Sequence, residues 1–189
     1  MSKRIEDITY ENKLNLFDTQ VAIKFVKDTF QKELIKQLKL VRVTAPMFVR
    51  SNTGLNDNLS GVEKPVSFHV PYIDDEVEIV HSLAKWKRKA LKKYGFGLYQ
   101  GLYTDMNAIR KDETLDFIHS LYVDQWDWEQ VIDEEHRNLS YLKKVVNKIY
   151  RSIYLLEDKV IAKFPKLTKK LQVGTTLIRY FQVKKITKY

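Results

Sequence analysis

The segment Tyr122-Val123-Asp124-Gln125-Trp126-Asp127-Trp128 constrains the fold most, because only an extended strand gives its two-residue alternation a physical sense. Leu121, Val123, Gln125 and Asp127 fall on one face; Tyr122, Asp124, Trp126 and Trp128 fall on the other. The pattern predicts a long strand over 118–128. Residues 102–110 read as a second strand, with Lys111-Asp112-Glu113 as the polar turn that follows it. Two shorter strands, 66–72 and 77–81, flank a turn at Asp74-Asp75, and a strand through Val41 and Val43 stops at Pro46. The stretch 51–61, SNTGLNDNLSG, is rich in turn formers and predicts a loop.

Helical spacing appears on either side of these strands. Phe17, Val21, Phe25, Phe30, Leu34 and Leu38 recur near a helical period, with Asp18 or Thr19 as the expected N-cap. Residues 83–94 read as a helix closed by Gly95, which takes the left-handed conformation at no steric cost. Asn138 is placed to cap a last helix whose apolar face is Leu139, Leu142, Val145, Val146, Ile149, Ile153, Leu156 and Val160. The expected class is α+β, with hairpin-like antiparallel strands between flanking helices.

Bulk properties remove several functions. A chain of 189 residues with 44% hydrophobic content suits one domain with a real core. No apolar run reaches the roughly 18 residues that a membrane span needs, and no secretory leader is visible at Met1-Ser2-Lys3-Arg4, so a cytoplasmic protein with no membrane partner is expected. There are no cysteines, and the four histidines lack paired ligand spacing, which leaves no zinc motif. The net charge of +9 is uneven: residues 163–189 hold eight Lys or Arg and no acid, while 1–162 hold 25 basic and 24 acidic residues. The basicity belongs to the tail, so the overall charge does not argue for nucleic acid.

On a wheel of roughly 100° per residue from Leu83, Lys85, Arg88, Lys89, Lys92 and Lys93 make a solvated face, whereas Lys87 falls at about 40°, inside the apolar stripe. An amine there must snorkel out, pair with a buried carboxylate, or face a ligand. Gln125 and Asp127 project together from their strand, as a polar edge or as part of a site. Arg110, ending its strand, can reach a phosphate in bidentate fashion or pair with the acidic turn. Asp57 can accept from a ligand ammonium or close an Asx-turn. His81 and His119 read as satisfied strand-end histidines. No Walker-type loop and no dinucleotide fingerprint occurs.

Taken together, Asn56-Asp57-Asn58-Leu59-Ser60-Gly61 with Glu63-Lys64, Ile79-Val80-His81-Ser82-Leu83-Ala84-Lys85-Trp86-Lys87-Arg88, Gly101-Leu102-Tyr103-Thr104 with Met106 and Arg110, and His119-Ser120 with Tyr122–Glu129 resemble asparagine synthetase A, the ammonia-dependent aspartate–ammonia ligase family. The resemblance covers roughly residues 17–165 and implies a class II aminoacyl-tRNA synthetase-like catalytic core, here incomplete. It implies ATP and Mg2+ as cofactors, L-aspartate and ammonia as substrates, and a β-aspartyl-AMP intermediate released as asparagine and AMP. It also implies a homodimer formed through the first helix and the Pro46 strand. Arg110 then grips the ATP α-phosphate and Glu113 belongs to the same motif. Lys87 meets a substrate carboxylate, Asp57 and Asp127 accept from its ammonium or from ammonia, Gln125 holds both amino acid and adenylate, and Ser82 donates a hydrogen bond.

Members of this family run on for many further residues that carry the magnesium-binding acids and a third motif. Residues 1–171 are therefore expected to be the N-terminal part of the catalytic domain and 172–189 a divergent basic tail. On that expectation the chain is a truncated form with open sheet edges, poorly stable and of little activity. The alternative is a non-catalytic synthetase-like paralogue that binds RNA through the tail or docks to a partner subunit.

Overall fold

The computed structural model describes residues 11–57, 59–116 and 119–171, so the expected tail at 172–189 lies outside the described residues. The chain divides into two compact units, which among these residues are 40–131 and 11–39 with 132–171.

The first unit holds the long strands. β5 (Gly101–Ile109) and β6 (Tyr122–Gln130) pair antiparallel with Met106 opposite Gln125 and Thr104 opposite Asp127. This is the hairpin that the alternation predicts, with β6 beginning at 122 rather than 118 and running on to 130, residue 118 lying outside the described residues. β1 (Leu40–Arg42) joins β5 on its other edge, but parallel, so this sheet is mixed. A parallel neighbour needs a crossover, and the intervening chain supplies it. That chain contains β2 (Phe48–Arg50), β3 (Ser67–Val70) and β4 (Asp75–Ile79), a separate antiparallel sheet in the order β2-β4-β3, and then α2 (Ala84–Lys93).

α2 ends as expected. Gly95 sits at φ 69°, its amide reaches Lys92 O, and Phe96 N reaches Leu91 O at 3.1 Å. These are the two bonds of a Schellman cap, and Phe96 packs on the cluster that contains Leu91. Tyr94, expected in the apolar stripe, is the C-cap residue and is half exposed.

The core lies between α2 and one face of β5–β6. Val49, Val80, Leu83, Met106 and Ala108 form one buried cluster; Ala90, Leu91 and Leu102 form another. Trp86 packs against both. Gly101 is buried between neighbours: a Cβ there would come 2.5 Å from Glu129 O and 2.7 Å from Leu40 Cδ2.

The second unit is a helix pair, α1 (Leu16–Leu38) and α3 (Leu139–Lys163). Phe25 meets Phe164 edge-on at 6.1 Å, and Lys159 pairs with Glu33 at 2.5 Å, so the helices run antiparallel. Asn138 caps α3 as expected, accepting from Tyr141 N. The cap of α1 is different from the expectation: Asn15, not Asp18 or Thr19, accepts from Asp18 N at 2.7 Å. The apolar face is also shorter than the spacing implies. Leu34 and Leu38 are buried, while Phe17 and Val21 are exposed because they lie on the open first turns. Among the described residues no helix is long and apolar enough to cross a membrane.

Candidate active site

Alternation along β5 and β6 assembles one chemical face. From β5 it receives Leu102, Thr104, Met106 and Ala108, and from β6 it receives Val123, Gln125, Asp127 and Glu129. α2 packs over this face and delivers Lys87, whose side chain is only 6% exposed. Its Nζ donates to Asp127 Oδ1 and to Trp128 O at 3.0 Å, and lies 3.6 Å from Glu129 Oε2. Of the three fates open to an amine in the stripe, the structure takes the buried ion pair. The remaining lysines and Arg88 on α2 are exposed, as the wheel requires.

One ammonium faces two carboxylates here, so the cluster carries a local charge of −1 with all three groups ionised. Asp127 is a terminus of this cluster that can share an incoming ammonium, while a ligand carboxylate must share Lys87 with Asp127. Gln125 stands two residues from Asp127, about 7 Å along the strand. It is half-buried, and its amide nitrogen touches Met106 Sδ at 3.4 Å.

Ser82 stands before α2 and accepts from Ala84 N at 3.2 Å, which leaves its hydroxyl proton to donate elsewhere. Arg110 directly follows β5 on the same face as Met106 and Ala108, about 13 Å beyond Met106 along the strand. Its amide continues the hairpin to Leu121 O at 2.7 Å, and among the described residues its buried Nε has no hydrogen-bond partner. Glu113 is half-buried just after the turn, its amide donating to Arg110 O at 3.1 Å.

The loop bearing Asp57 is held by Asn56, a residue with no functional mark in the sequence. Asn56 is 6% exposed; its amide nitrogen donates to Glu78 Oε2 and Ile79 O, its Oδ1 accepts from His81 N at 2.8 Å, and its carbonyl accepts from Lys85 Nζ. One side chain thus ties the loop to β4 and to the entry of α2. Asp57 follows it, half-buried, and among the described residues its carboxylate makes no hydrogen bond or ion pair, so it does not close an Asx-turn. Replacing Asn56 by alanine strands the buried His81 amide and is expected to cost about 2 kcal/mol in urea unfolding.

His81 departs from the expectation of a satisfied histidine. It is 1% exposed, and among the described residues its Nε2 has no hydrogen-bond partner. Burial, and behind it the Arg110 guanidinium, hold its pKa below the ordinary histidine range against the opposing pull of Glu63, Glu78 and Asp112. His119 does pair, with Asp116 at 2.8 Å, and that hydrogen bond raises its pKa.

Among solved structures the chain is similar to a pyrrolysyl-tRNA synthetase from Desulfitobacterium hafniense, with a TM-score of 0.52 at 12% identity over 69% of this chain and 46% of that one. That likeness shows a synthetase-like fold. The family model described as aspartate-ammonia ligase matches residues 17–187. The chain belongs to the aspartate–ammonia ligase family. Aspartate–ammonia ligase of Lactiplantibacillus plantarum is 59% identical over 157 residues, which is 82% of this chain and 49% of the relative. That of Fusobacterium nucleatum is 54% identical over 171 residues, 90% of this chain and 52% of the relative. The chain therefore spans about half the length of the curated aspartate–ammonia ligases that it matches.

Proposed function

We propose that this chain carries the aspartate-binding and α-phosphate-binding part of an ATP-dependent ligase that makes L-asparagine from L-aspartate and ammonia. The observation that supports this most is the single sheet face on which Asp127, Gln125 and Arg110 stand, with the buried Lys87 brought onto it from α2. Such a face suits a substrate with a carboxylate and an ammonium at one end and a phosphate at the other.

In the first step an oxygen of the aspartate side-chain carboxylate attacks the α-phosphorus of ATP, and pyrophosphate leaves. Arg110 offsets the charge that builds on the α-phosphoryl oxygens, where electrostatic stabilisation acts most strongly. Lys87 shares its ammonium between Asp127 and a substrate carboxylate and so orients it. Gln125 donates to the amino acid or the adenylate, Ser82 donates a hydrogen bond through its hydroxyl, and Glu113 borders the nucleotide. In the second step ammonia attacks the activated carbonyl carbon, AMP leaves, and asparagine forms. Asp57 and Asp127 accept hydrogen bonds from the substrate ammonium or from ammonia and hold it in line, which lowers the entropic part of the barrier.

Mg2+ belongs to this reading as the counterion of ATP. Among the described residues no group of three His, Cys, Asp or Glu side chains could hold it. The homodimer implied by the resemblance would use α1, whose Leu16 and Phe17 are largely exposed. ATP as substrate makes the cytoplasm the natural compartment.

The test is calorimetric titration of the full chain with aspartate, with AMP, and with a stable sulfamoyl analogue of β-aspartyl-AMP. The wild type is expected to bind the analogue more tightly than either part. Arg110→Ala is expected to weaken AMP by about 30-fold while leaving aspartate unchanged, the loss of a charge-assisted bidentate contact. A wild-type chain that binds none of the three would overturn the reading.

A further inference from the structure

His81 is a buried titratable residue whose chemistry the proposed reaction leaves unused. It lies between Val80 and Leu83, both of which pack against Met106 and Ala108 in one cluster, so the ring is carried on the segment that covers the site face next to the Arg110 end of β5. Its backbone amide is anchored to Asn56 Oδ1, which fixes where the ring can go. Two buried nitrogens, His81 Nε2 and Arg110 Nε, lack hydrogen-bond partners among the described residues. Leaving such an atom buried and unpaired is costly, and a bound acceptor removes that cost.

The neighbouring acids do not supply that acceptor. Glu63 is bonded to the amide and hydroxyl of Ser60, Glu78 to Asn56, and Asp112 to Lys111 and the Lys64 amide. These three, with Arg110, are the charged groups whose fields reach the ring. What remains among the described residues is a buried imidazole nitrogen and a buried guanidinium nitrogen, neither with a hydrogen-bond partner, in two groups close enough for the charge of Arg110 to act on the ring. With Nε2 protonated both are donors, and a phosphoryl group, with several negative oxygens on one centre, satisfies both.

We infer that His81 is a ligand-binding residue that donates from Nε2 to an oxygen of the same phosphoryl group that Arg110 meets. This rests on the adenylating reading above and adds a residue to it. A neutral donor has a use in that place. It binds phosphate without adding a second full charge beside Arg110, and so without repelling the guanidinium.

Glutamine tests this directly, because its Nε2 can overlie that of histidine, whereas asparagine places its amide nearer Nδ1. AMP titrations followed by 15N resonances of the His81 ring and by calorimetry are expected to show the Nε2 signal moving on AMP addition. His81→Gln should stay within about threefold of wild-type AMP affinity and His81→Asn should lose about tenfold, the size of one hydrogen bond to a charged group. The His81 titration midpoint should rise when AMP is bound. Equal AMP affinity of wild type, His81→Gln and His81→Asn, with Arg110→Ala still impaired, would overturn the inference and leave the adenylating reading standing. A ring signal that responds to aspartate but not to AMP or inorganic phosphate would overturn it too. Absence of any AMP binding by the wild type would remove both.

Discussion

Lys87→Met is expected to lower the free energy of unfolding by about 3 kcal/mol and the melting temperature by about 6–12 °C. The side chain of Lys87 is 6% exposed and that of Asp127 18%, so removal of the ammonium leaves a largely dehydrated carboxylate with Glu129 close by and nothing to balance either. The energy lies in the stranded partner more than in the pair itself. A buried ion pair replaced as a whole by apolar groups of similar volume is often near neutral. Lys87→Met combined with Asp127→Leu should therefore recover at least half of the loss, a positive coupling that urea denaturation of the four proteins of the cycle would read. A single-variant cost below about 1 kcal/mol, or strict additivity, would show that water reaches the pair and that the cluster is not the closed site described. Aspartate binding should vanish in both variants, since neither retains the amine.

Gly101→Ala should be nearly as costly, at about 3 kcal/mol, for a purely steric reason. β5 has partners on both edges at this residue: Leu40 of β1 and Gln130 of β6. The added methyl would meet Glu129 O at 2.5 Å and Leu40 Cδ2 at 2.7 Å. A leucine methyl can rotate aside, but a backbone carbonyl moves only if β6 shifts, and β6 carries Asp127 and Glu129. The variant is thus expected to disturb Lys87 as well as stability. Gly97→Ala is the control, since its Cβ would find only Gln100 at 3.6 Å, and it should stay within about 0.5 kcal/mol of wild type in thermal melts.

How far local pattern carries is clear from particular residues. Lys87 could be singled out because a ten-residue amphipathic helix leaves a charged residue in its stripe conspicuous. Gln125 and Asp127 could be placed on one face because strand alternation survives whatever the strand pairs with. The sense of β1 could not be read, since its pairing with β5 joins residues about sixty positions apart and no local signal encodes direction. β2 escaped notice because three residues beside Pro46 are too few to show a period. The start of α1 was misplaced because exposed Leu16 and Phe17 give apolar spacing no inside to mark. The tether at Asn56 and the unpaired ring of His81 leave no mark in the sequence for a shared reason: what distinguishes them is the hydrogen bonds made or left unmade, which only the folded neighbourhood supplies.

The parallel placement of β1 also governs the order in which this protein can come into being. On a chain made from its N-terminus, β1 waits through β2, β3, β4 and α2 for a neighbour, because β5 lies beyond them. Lys87 waits a further forty residues for Asp127. Distant closures of this kind are slow, so the β5–β6 hairpin, held by a short connection, is the natural nucleus on which the earlier pieces settle. The amine reaches its carboxylate only at the last of these events. A nascent molecule therefore forms its Lys87–Asp127 ion pair late, after β6 has been made.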